Sequence, residues 1–282
     1  HPEKNILYGF DYQAVGRFYA LNLDTEKVKL IKKFENHDFK SLDMFNDLPM
    51  LSGAKLTIVS PNSGEILQSE CYSDLIGKDR IYGVTFLPNQ NKWVFINSSK
   101  RVIQEAKIEI GNTYTEAECA ILQSTTIDKE DVAFLNRFGT TDNKYHVSED
   151  QLLVLDSDGY NLIRYFLDGR NTEYITKDDL ASTSKLLWVG PTAAVEKNGY
   201  LYILANLTHQ VSRISLKDYS AEIYLGSGIP TRGAASGFGL NKAQLGYPVS
   251  MKLIDDQLWI GDAFGRRIIY VNESILVDQL FP

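Results

Sequence analysis

A short apolar run that ends on a small polar residue recurs six times along this chain of 282 residues. The copies begin at residues 7, 56, 93, 152, 202 and 258, so they lie roughly 50 residues apart. They read LYGFD, LTIVS, WVFIN, LLVLD, YILAN and LWIGD. Self-similarity at this period is typical of repeat architectures, in which no unit buries its apolar face alone. The repeat therefore constrains the fold more than any other feature of the sequence.

Each run is followed by a polar turn and then by a second stretch of alternating apolar residues, such as RFYALNL after Asp11 and QVSRISL after Asn206. Two alternating runs joined by a short turn predict a β-hairpin. Apolar stretches before and after most hairpins extend each unit to as many as four antiparallel strands. Sheets this small must stack on one another to bury both faces. We therefore predict an all-β fold, a single six-bladed β-propeller of four-stranded antiparallel blades over residues 1–282.

Two features qualify this regular picture. Few residues precede the first motif, so the innermost strand of repeat one is expected to be missing, very short or supplied from elsewhere in the chain. Helical periodicity is essentially absent.

Composition excludes two classes of partner. The formal net charge is −7 and the basic residues form no run or stripe, so we expect no nucleic-acid binding. No apolar stretch approaches the roughly 20 residues that span a bilayer, so we expect no membrane insertion. We expect a soluble monomer.

The start of the sequence and its cysteines leave alternatives open. The chain begins His1-Pro2 without Met or an apolar signal region, which fits either a removed leader or a trimmed chain. We expect the former, and hence a secreted or periplasmic protein.

Cys71 and Cys119 occupy comparable late positions in consecutive repeats, where they form either a bridge between outer strands or two free thiols.

The final repeat, Gly226 to Asn272, has a Gly-rich lead-in, then a strand of the pattern P-x-x-h, a strand hWhxD and a strand xRIhhV. It resembles an NHL repeat, and the fifth repeat, Pro191 to Leu216, resembles one more weakly. The resemblance implies an NHL-type six-bladed propeller. It does not imply one function, because similar propellers serve as binding platforms, lactonases, lyases and extracellular modules.

The polar residues that end the six motifs form the first candidate site. In a propeller these strand ends gather on one face. One interpretation is structural, since Asp, Asn and Ser side chains each hydrogen-bond nearby turn backbone. The other is a calcium site, because calcium takes six to eight oxygen ligands and the similar propellers with lactonase activity hold such an ion in the central channel. The six residues are Asp11, Ser60, Asn97, Asp156, Asn206 and Asp262, and all except Ser60 are candidate metal ligands.

Histidine and arginine residues supply weaker candidates. His209 follows Asn206 closely, and His146 lies in RFGTTDNKYHVSED, which we predict to be an exposed loop. Either would serve as the base of a metal-dependent enzyme, although solvated loop histidines are the simpler interpretation. Arg232, in the Gly-rich loop, is a candidate anion contact. Arg266 and Arg267 are expected either to stack on the sheet or to pair with Asp262 across the turn. The sequence has no G-x-S-x-G motif for a serine nucleophile.

We therefore expect recognition of a protein, peptide or glycan without chemistry. Loops carry binding on rigid scaffolds, and the long predicted loops are residues 37–53, 138–150 and 226–246. The expected ligand-binding residues are Arg232, Asn206, His209 and Asp262. The alternatives are a lactonase, lyase or hydrolase that works through a central calcium ion, and a structural module of a larger secreted assembly. Apart from that calcium ion, we expect no cofactor.

Overall fold

A computed structural model describes the chain in segments. These are residues 5–11, 16–35, 39–45, 47–53, 57–67, 81–87, 90–97, 102–110, 117–126, 144–147, 151–156, 161–166, 168–171, 173–175, 179, 191–228, 243–254, 256–264, 267–272 and 275–280. The chain divides into two compact units, residues 1–139 and residues 140–282.

The first unit contains three antiparallel sheets, in which the strands follow one another as hairpins. The first sheet has three strands, and the other two have four. The first consists of β1 (Ile6–Asp11), β2 (Gly16–Asn22) and β3 (Lys27–Phe34). The second consists of β4 (Phe39–Phe45), β5 (Leu48–Gly53), β6 (Thr57–Val59) and β7 (Ile66–Leu67). The third consists of β8 (Ile81–Leu87), β9 (Lys92–Asn97), β10 (Val102–Ile110) and β11 (Ala117–Thr126).

The second unit contains three four-stranded antiparallel sheets. The fourth sheet of the chain consists of β12 (Lys144–Val147), β13 (Gln151–Asp156), β14 (Asn161–Phe166) and β15 (Glu173–Ile175). The fifth consists of β16 (Pro191–Lys197), β17 (Tyr200–Ala205), β18 (Gln210–Ser215) and β19 (Ala221–Leu225). The sixth consists of β20 (Pro248–Ile254), β21 (Gln257–Asp262), β22 (Arg267–Asn272) and β23 (Ile275–Leu280).

The predicted all-β class is confirmed, and the described residues contain no α-helix. The prediction of six equal four-stranded blades is wrong, because only five sheets have four strands. The exception is the first sheet, whose motif strand β1 is its first strand rather than its second. This exception agrees with the sequence analysis, which expected the innermost strand of repeat one to be missing, very short or supplied from elsewhere.

The second repeat differs from its prediction. In the third, fourth, fifth and sixth sheets the motif strand is the second strand, but LTIVS supplies β6, the third strand of its sheet. The second strand is β5, which pairs with β4 in the register Leu42–Leu51. Residues 39–45 and 48–53 therefore form a hairpin where a long loop was predicted. Pro49 makes this strand difficult to predict from the sequence, because proline is unusual inside strands.

The prediction of a loop around His146 is also wrong. Residues 144–147 form β12, and His146 pairs with Leu153 of β13. Residues 131–138, whose alternating apolar pattern predicts a strand of this repeat before the motif, lie outside the described residues.

The fifth sheet shows why the central strands read as continuous apolar runs. Leu201 and Ile203 of β17 belong to a buried cluster that includes Ile175 of the fourth sheet. The alternate residues Tyr202 and Leu204 belong to a cluster shared with the sixth sheet. Successive side chains of a strand point to opposite faces, so a strand between two sheets must be apolar at every position.

Successive sheets within each unit pack through their first strands. In the first unit β4 contacts β8, and in the second unit β12 contacts β16, which contacts β20. Aromatic rings fill one of these spaces, where Phe45 of the second sheet packs on Phe86 and Trp93 of the third. Stacking of small sheets through their inner strands is how a propeller buries its core. Among the described residues, no helix has the length and apolarity to span a bilayer.

We expect Leu204→Ala to lower the free energy of unfolding by about 2–5 kcal/mol, because it opens a cavity between two sheets. Urea denaturation measures the change. Leu122→Ala is the control, since Leu122 is 49% exposed on β11, and it should cost no more than about 0.5 kcal/mol. Equal losses from both variants would contradict burial of Leu204 between sheets.

Candidate functional site

The motif-terminal residues lie at strand ends, as predicted. Asp11, Asn97, Asp156 and Asp262 are the last residues of β1, β9, β13 and β21. Ser60 and Asn206 directly follow β6 and β17. Arg232 and Cys71 lie outside the described residues, and the side chains of Asp11, Asp156, Cys119 and His146 lie outside them as well.

Asp262 is a buried structural anion. Its Oδ2 accepts hydrogen bonds from Arg267 Nε at 3.1 Å and Nη2 at 2.9 Å, so of the two arrangements considered for Arg267 the structure shows the pairing, while Arg266 lies outside the described residues. The backbone N–H groups of Gly246 and Tyr247 donate to Oδ2 and Oδ1 at 2.9 and 2.7 Å. Asp262 is 1% and Arg267 3% exposed. The pair therefore fixes the chain segment that leads into β20.

Two other motif ends also use their polar side chains locally. The side chain of Asn97 is buried, and its Nδ2 donates to Gln104 Oε1 at 3.0 Å, while Gln104 Nε2 donates to Ser124 Oγ at 3.1 Å. Ser60 Oγ accepts from the backbone N–H of Ser63 at 3.4 Å. The interpretation of these residues as local hydrogen-bonding groups is confirmed at Ser60, and at Asp262 the backbone partners precede the strand rather than follow it.

The turn of residues 206–209, between β17 and β18, differs from these motif ends because several of its polar atoms have no hydrogen-bond partner in the described part of the chain. Ala205 pairs with Gln210, so four residues close this hairpin, and His209 adopts a left-handed backbone with φ of 54°. Three buried atoms on the turn, Asn206 Oδ1, Thr208 Oγ1 and His209 Nδ1, have no hydrogen-bond partner among the described residues. Each buried polar atom without a partner costs about 1–3 kcal/mol. Such a concentration on one turn requires an explanation beyond packing.

Exposed apolar side chains lie on this turn and next to it. Leu207 is 61%, Phe264 49% and Tyr247 40% exposed. The rings of Tyr247 and Phe264 make an edge-to-face contact with centroids 6.4 Å apart. Asn206 Nδ2 donates to the Tyr247 hydroxyl at 3.1 Å, which connects the polar turn to the aromatic pair. We call residues 206–209, Tyr247 and Phe264, with the Asp262–Arg267 pair beneath them, the rim site.

Gly226 lies close to the backbone of this turn. Gly226, at the end of β19, has φ of 101°, and a Cβ there would lie 2.4 Å from the His209 carbonyl oxygen. Ser227 N donates to Ala243 O at 2.8 Å. This hydrogen bond joins the two ends of the Gly-rich stretch next to the turn.

The rim site brings together part of the predicted ligand-binding set. Asn206 and His209 lie on its turn, and Asp262 supports it through Tyr247. The sequence analysis missed Tyr247 and Phe264, which flank β20 and β21 in the printed sequence. Phe264 had a weak signal, since it lies two residues after the motif end Asp262, whereas nothing in the sequence singles out Tyr247.

The described residues contain no group of three or more His, Cys, Asp or Glu that could hold a metal ion. The calcium hypothesis includes the side chains of Asp11 and Asp156, so it stays a prediction. The pairing of Asp262 with Arg267 leaves that carboxylate already occupied by donors.

The sequence matches no family model and no curated protein. Solved structures do match. The chain is similar to a chain of a nidogen/laminin complex, with 13% identity, a TM-score of 0.60, and 98% of this chain and 93% of that one covered. It is similar to an auxiliary nutrient binding protein from Bacteroides ovatus, with 12% identity and a TM-score of 0.57, and the match covers 96% of this chain and 68% of that one. It is also similar to regucalcin, a calcium-binding protein from Agrobacterium tumefaciens, with 11% identity and a TM-score of 0.55, and the match covers 100% of this chain and 90% of that one. Together with the stacked sheets, these likenesses show that the fold is a β-propeller, while the NHL resemblance stays a prediction.

Gly226→Ala should destabilise the protein more than Gly169→Ala. Both glycines have positive φ, so each alanine costs about 1–2 kcal/mol in backbone strain. A Cβ at Gly169 meets open space, but one at Gly226 collides with the backbone of the turn, which adds about 1–3 kcal/mol. Urea denaturation of the two variants tests this difference, and equal losses would contradict the close approach of Gly226 to His209.

Asp262→Asn should lower the free energy of unfolding by about 3–5 kcal/mol, because it leaves the Arg267 guanidinium buried without its counter-ion. The matched control is Asp168→Asn, which removes the exposed partner of Arg170 at 2.7 Å. Exposed ion pairs contribute little, so the control should unfold at nearly the wild-type urea concentration. A tolerated Asp262→Asn would show that the pair does not support the segment before β20.

Proposed function

We propose that this protein is a ligand-binding propeller without catalytic chemistry, and that the rim site is where it binds. The observation that carries the proposal is the set of three buried polar atoms on the Asn206–His209 turn that have no partner in the described part of the chain, near the exposed rings of Tyr247 and Phe264. Binding sites combine apolar and aromatic surface with a few fixed polar groups. The rim site has both parts within one pair of adjacent sheets.

The energetics support ligand binding over a purely structural role. A turn that only connects two strands would leave its side-chain oxygens in water or pair them with backbone, as Ser60 does at the end of β6. The Asn206–His209 turn does neither with the three atoms. A ligand that supplies partners recovers hydrogen-bonding energy that the free protein lacks.

The rim site is also held rigidly. The Asp262 carboxylate fixes the backbone N–H of Tyr247, and Ala263 N donates back to Tyr247 O at 3.0 Å. Rigid presentation reduces the ordering cost of binding. The Bacteroides ovatus neighbour is a nutrient binding protein by name, which gives a precedent for binding on a similar fold. By the same precedent we propose a secreted or periplasmic location.

A thermal-shift screen tests the proposal. The wild type is screened against monosaccharides, oligosaccharides, amino acids and dipeptides, together with Tyr247→Ala and the control Tyr174→Ala. Tyr174 is also an exposed tyrosine, but it lies on edge strand β15. A ligand at 100 times its Kd stabilises a protein by about 2.7 kcal/mol. We expect this stabilisation in wild type and Tyr174→Ala and its loss in Tyr247→Ala.

Two outcomes would contradict the proposal. A ligand that stabilises all three proteins equally would place binding elsewhere. A screen in which no compound stabilises the wild type would contradict small-ligand binding itself.

A further inference from the structure

We infer that the ligand of the rim site is a neutral carbohydrate. This inference rests on the proposed function and adds the chemical class of the ligand. Three properties of the rim site support it: its charge, the kind of polar atoms that it offers, and the geometry of its aromatic pair.

The rim site carries no uncompensated fixed charge. Its acidic and basic residues, Asp262 and Arg267, bond each other at 2.9 Å and are buried. Asp262 also accepts two backbone N–H groups, and Arg267 Nη2 also donates to Gln244 O at 2.7 Å. Within the part of the site that the structure describes, an anionic ligand or a charged peptide side chain would therefore meet no available counter-ion, and its desolvation would go uncompensated.

The unpartnered atoms suit hydroxyl groups. Asn206 Oδ1 is an acceptor, Thr208 Oγ1 both donates and accepts, and His209 Nδ1 does one or the other according to tautomer. A hydroxyl group both donates and accepts, so it satisfies any of the three. A ligand with several neighbouring hydroxyls can satisfy all three atoms without a fixed pattern of donors and acceptors, and a sugar is such a ligand.

The aromatic pair suits the apolar face of a sugar ring. The planes of Tyr247 and Phe264 are inclined at 76°, so a ligand that lies flat on one ring meets the edge of the other. The face of an aromatic ring is electron-rich, and the aliphatic C–H groups of a pyranose carry the complementary charge. Because Asn206 Nδ2 bonds the Tyr247 hydroxyl at 3.1 Å, a sugar stacked on Tyr247 lies next to the polar turn.

The experiment has two stages. A glycan array of neutral, sulfated and uronic-acid oligosaccharides is first probed with the wild type, beside an array of peptides. Isothermal titration with the best neutral oligosaccharide then compares wild type with Tyr247→Ala, Phe264→Ala, Tyr247→Phe and the control Tyr174→Ala. Circular dichroism and thermal melting of each variant separate loss of binding from loss of fold.

We expect a neutral oligosaccharide to bind. Tyr247→Ala and Phe264→Ala should each weaken binding at least tenfold, while Tyr247→Phe, which keeps the ring, should lose less, and Tyr174→Ala should bind as the wild type does. Binding should also be nearly independent of salt, because screening acts on charges.

The failures of the two proposals are distinguishable. If a peptide or an acidic glycan binds, and Tyr247→Ala abolishes that binding, the carbohydrate inference is wrong and the rim site still binds ligand. If a neutral glycan binds all variants equally, the rim site is not the binding site and both proposals are overturned.

Discussion

Burial of each central strand between two sheets is the constraint on which the rest of the second unit depends. β17 directs Leu201 and Ile203 to one neighbouring sheet and Tyr202 and Leu204 to the other. Neither set is buried by its own sheet alone, so the fifth sheet requires both neighbours. The same stacking places the end of β17 beside the segment that leads into β20. The rim site is therefore a consequence of how the sheets pack.

The two polar features at this end of the unit perform separate tasks. Asp262 and Arg267 form an ion pair, and Asp262 also accepts hydrogen bonds from the backbone of Gly246 and Tyr247. Their contribution is therefore to fix the segment that leads into β20. The Asn206–His209 turn, by contrast, keeps three polar atoms without partners among the described residues. Natural proteins leave buried polar groups unpaired rarely, and such groups often mark function. One motif end thus supplies rigidity, and the neighbouring motif end supplies the unmet hydrogen bonds.

The sequence predicted the strands well where their hydrophobic pattern was strong. Nearly all of the predicted hairpins formed, because alternation over five to seven residues specifies a half-buried strand. The prediction failed where one residue interrupted the apolar pattern, as Pro49 did in β5, and where a strand was short, as in the case of β12. It also assigned LTIVS to the wrong strand of its sheet, because a repeated apolar run does not encode its position within a four-stranded unit. The three-stranded first sheet, by contrast, agrees with the expectation that the innermost strand of repeat one is missing, very short or supplied from elsewhere.

The candidate site was predictable only in part, for a physical reason. Asn206, His209 and Asp262 stand out because polar residues at strand ends recur along the sequence, but Tyr247 and Phe264 acquire meaning only through an edge-to-face contact between residues 17 positions apart. The direction of each Asp or Asn hydrogen bond is likewise set by neighbouring strands and not by local sequence. Asp262 and Asn206 end the same sequence motif, but the registers of the two sheets set them one residue apart, because Asp262 pairs with Arg267 whereas Ala205 pairs with Gln210. Gln210 of the fifth sheet therefore occupies the position of Arg267 in the sixth, and Asn206 lies beyond the paired strand, on the turn. A polar residue at the paired strand end meets the arginine of the next strand, and a polar residue one position further along does not.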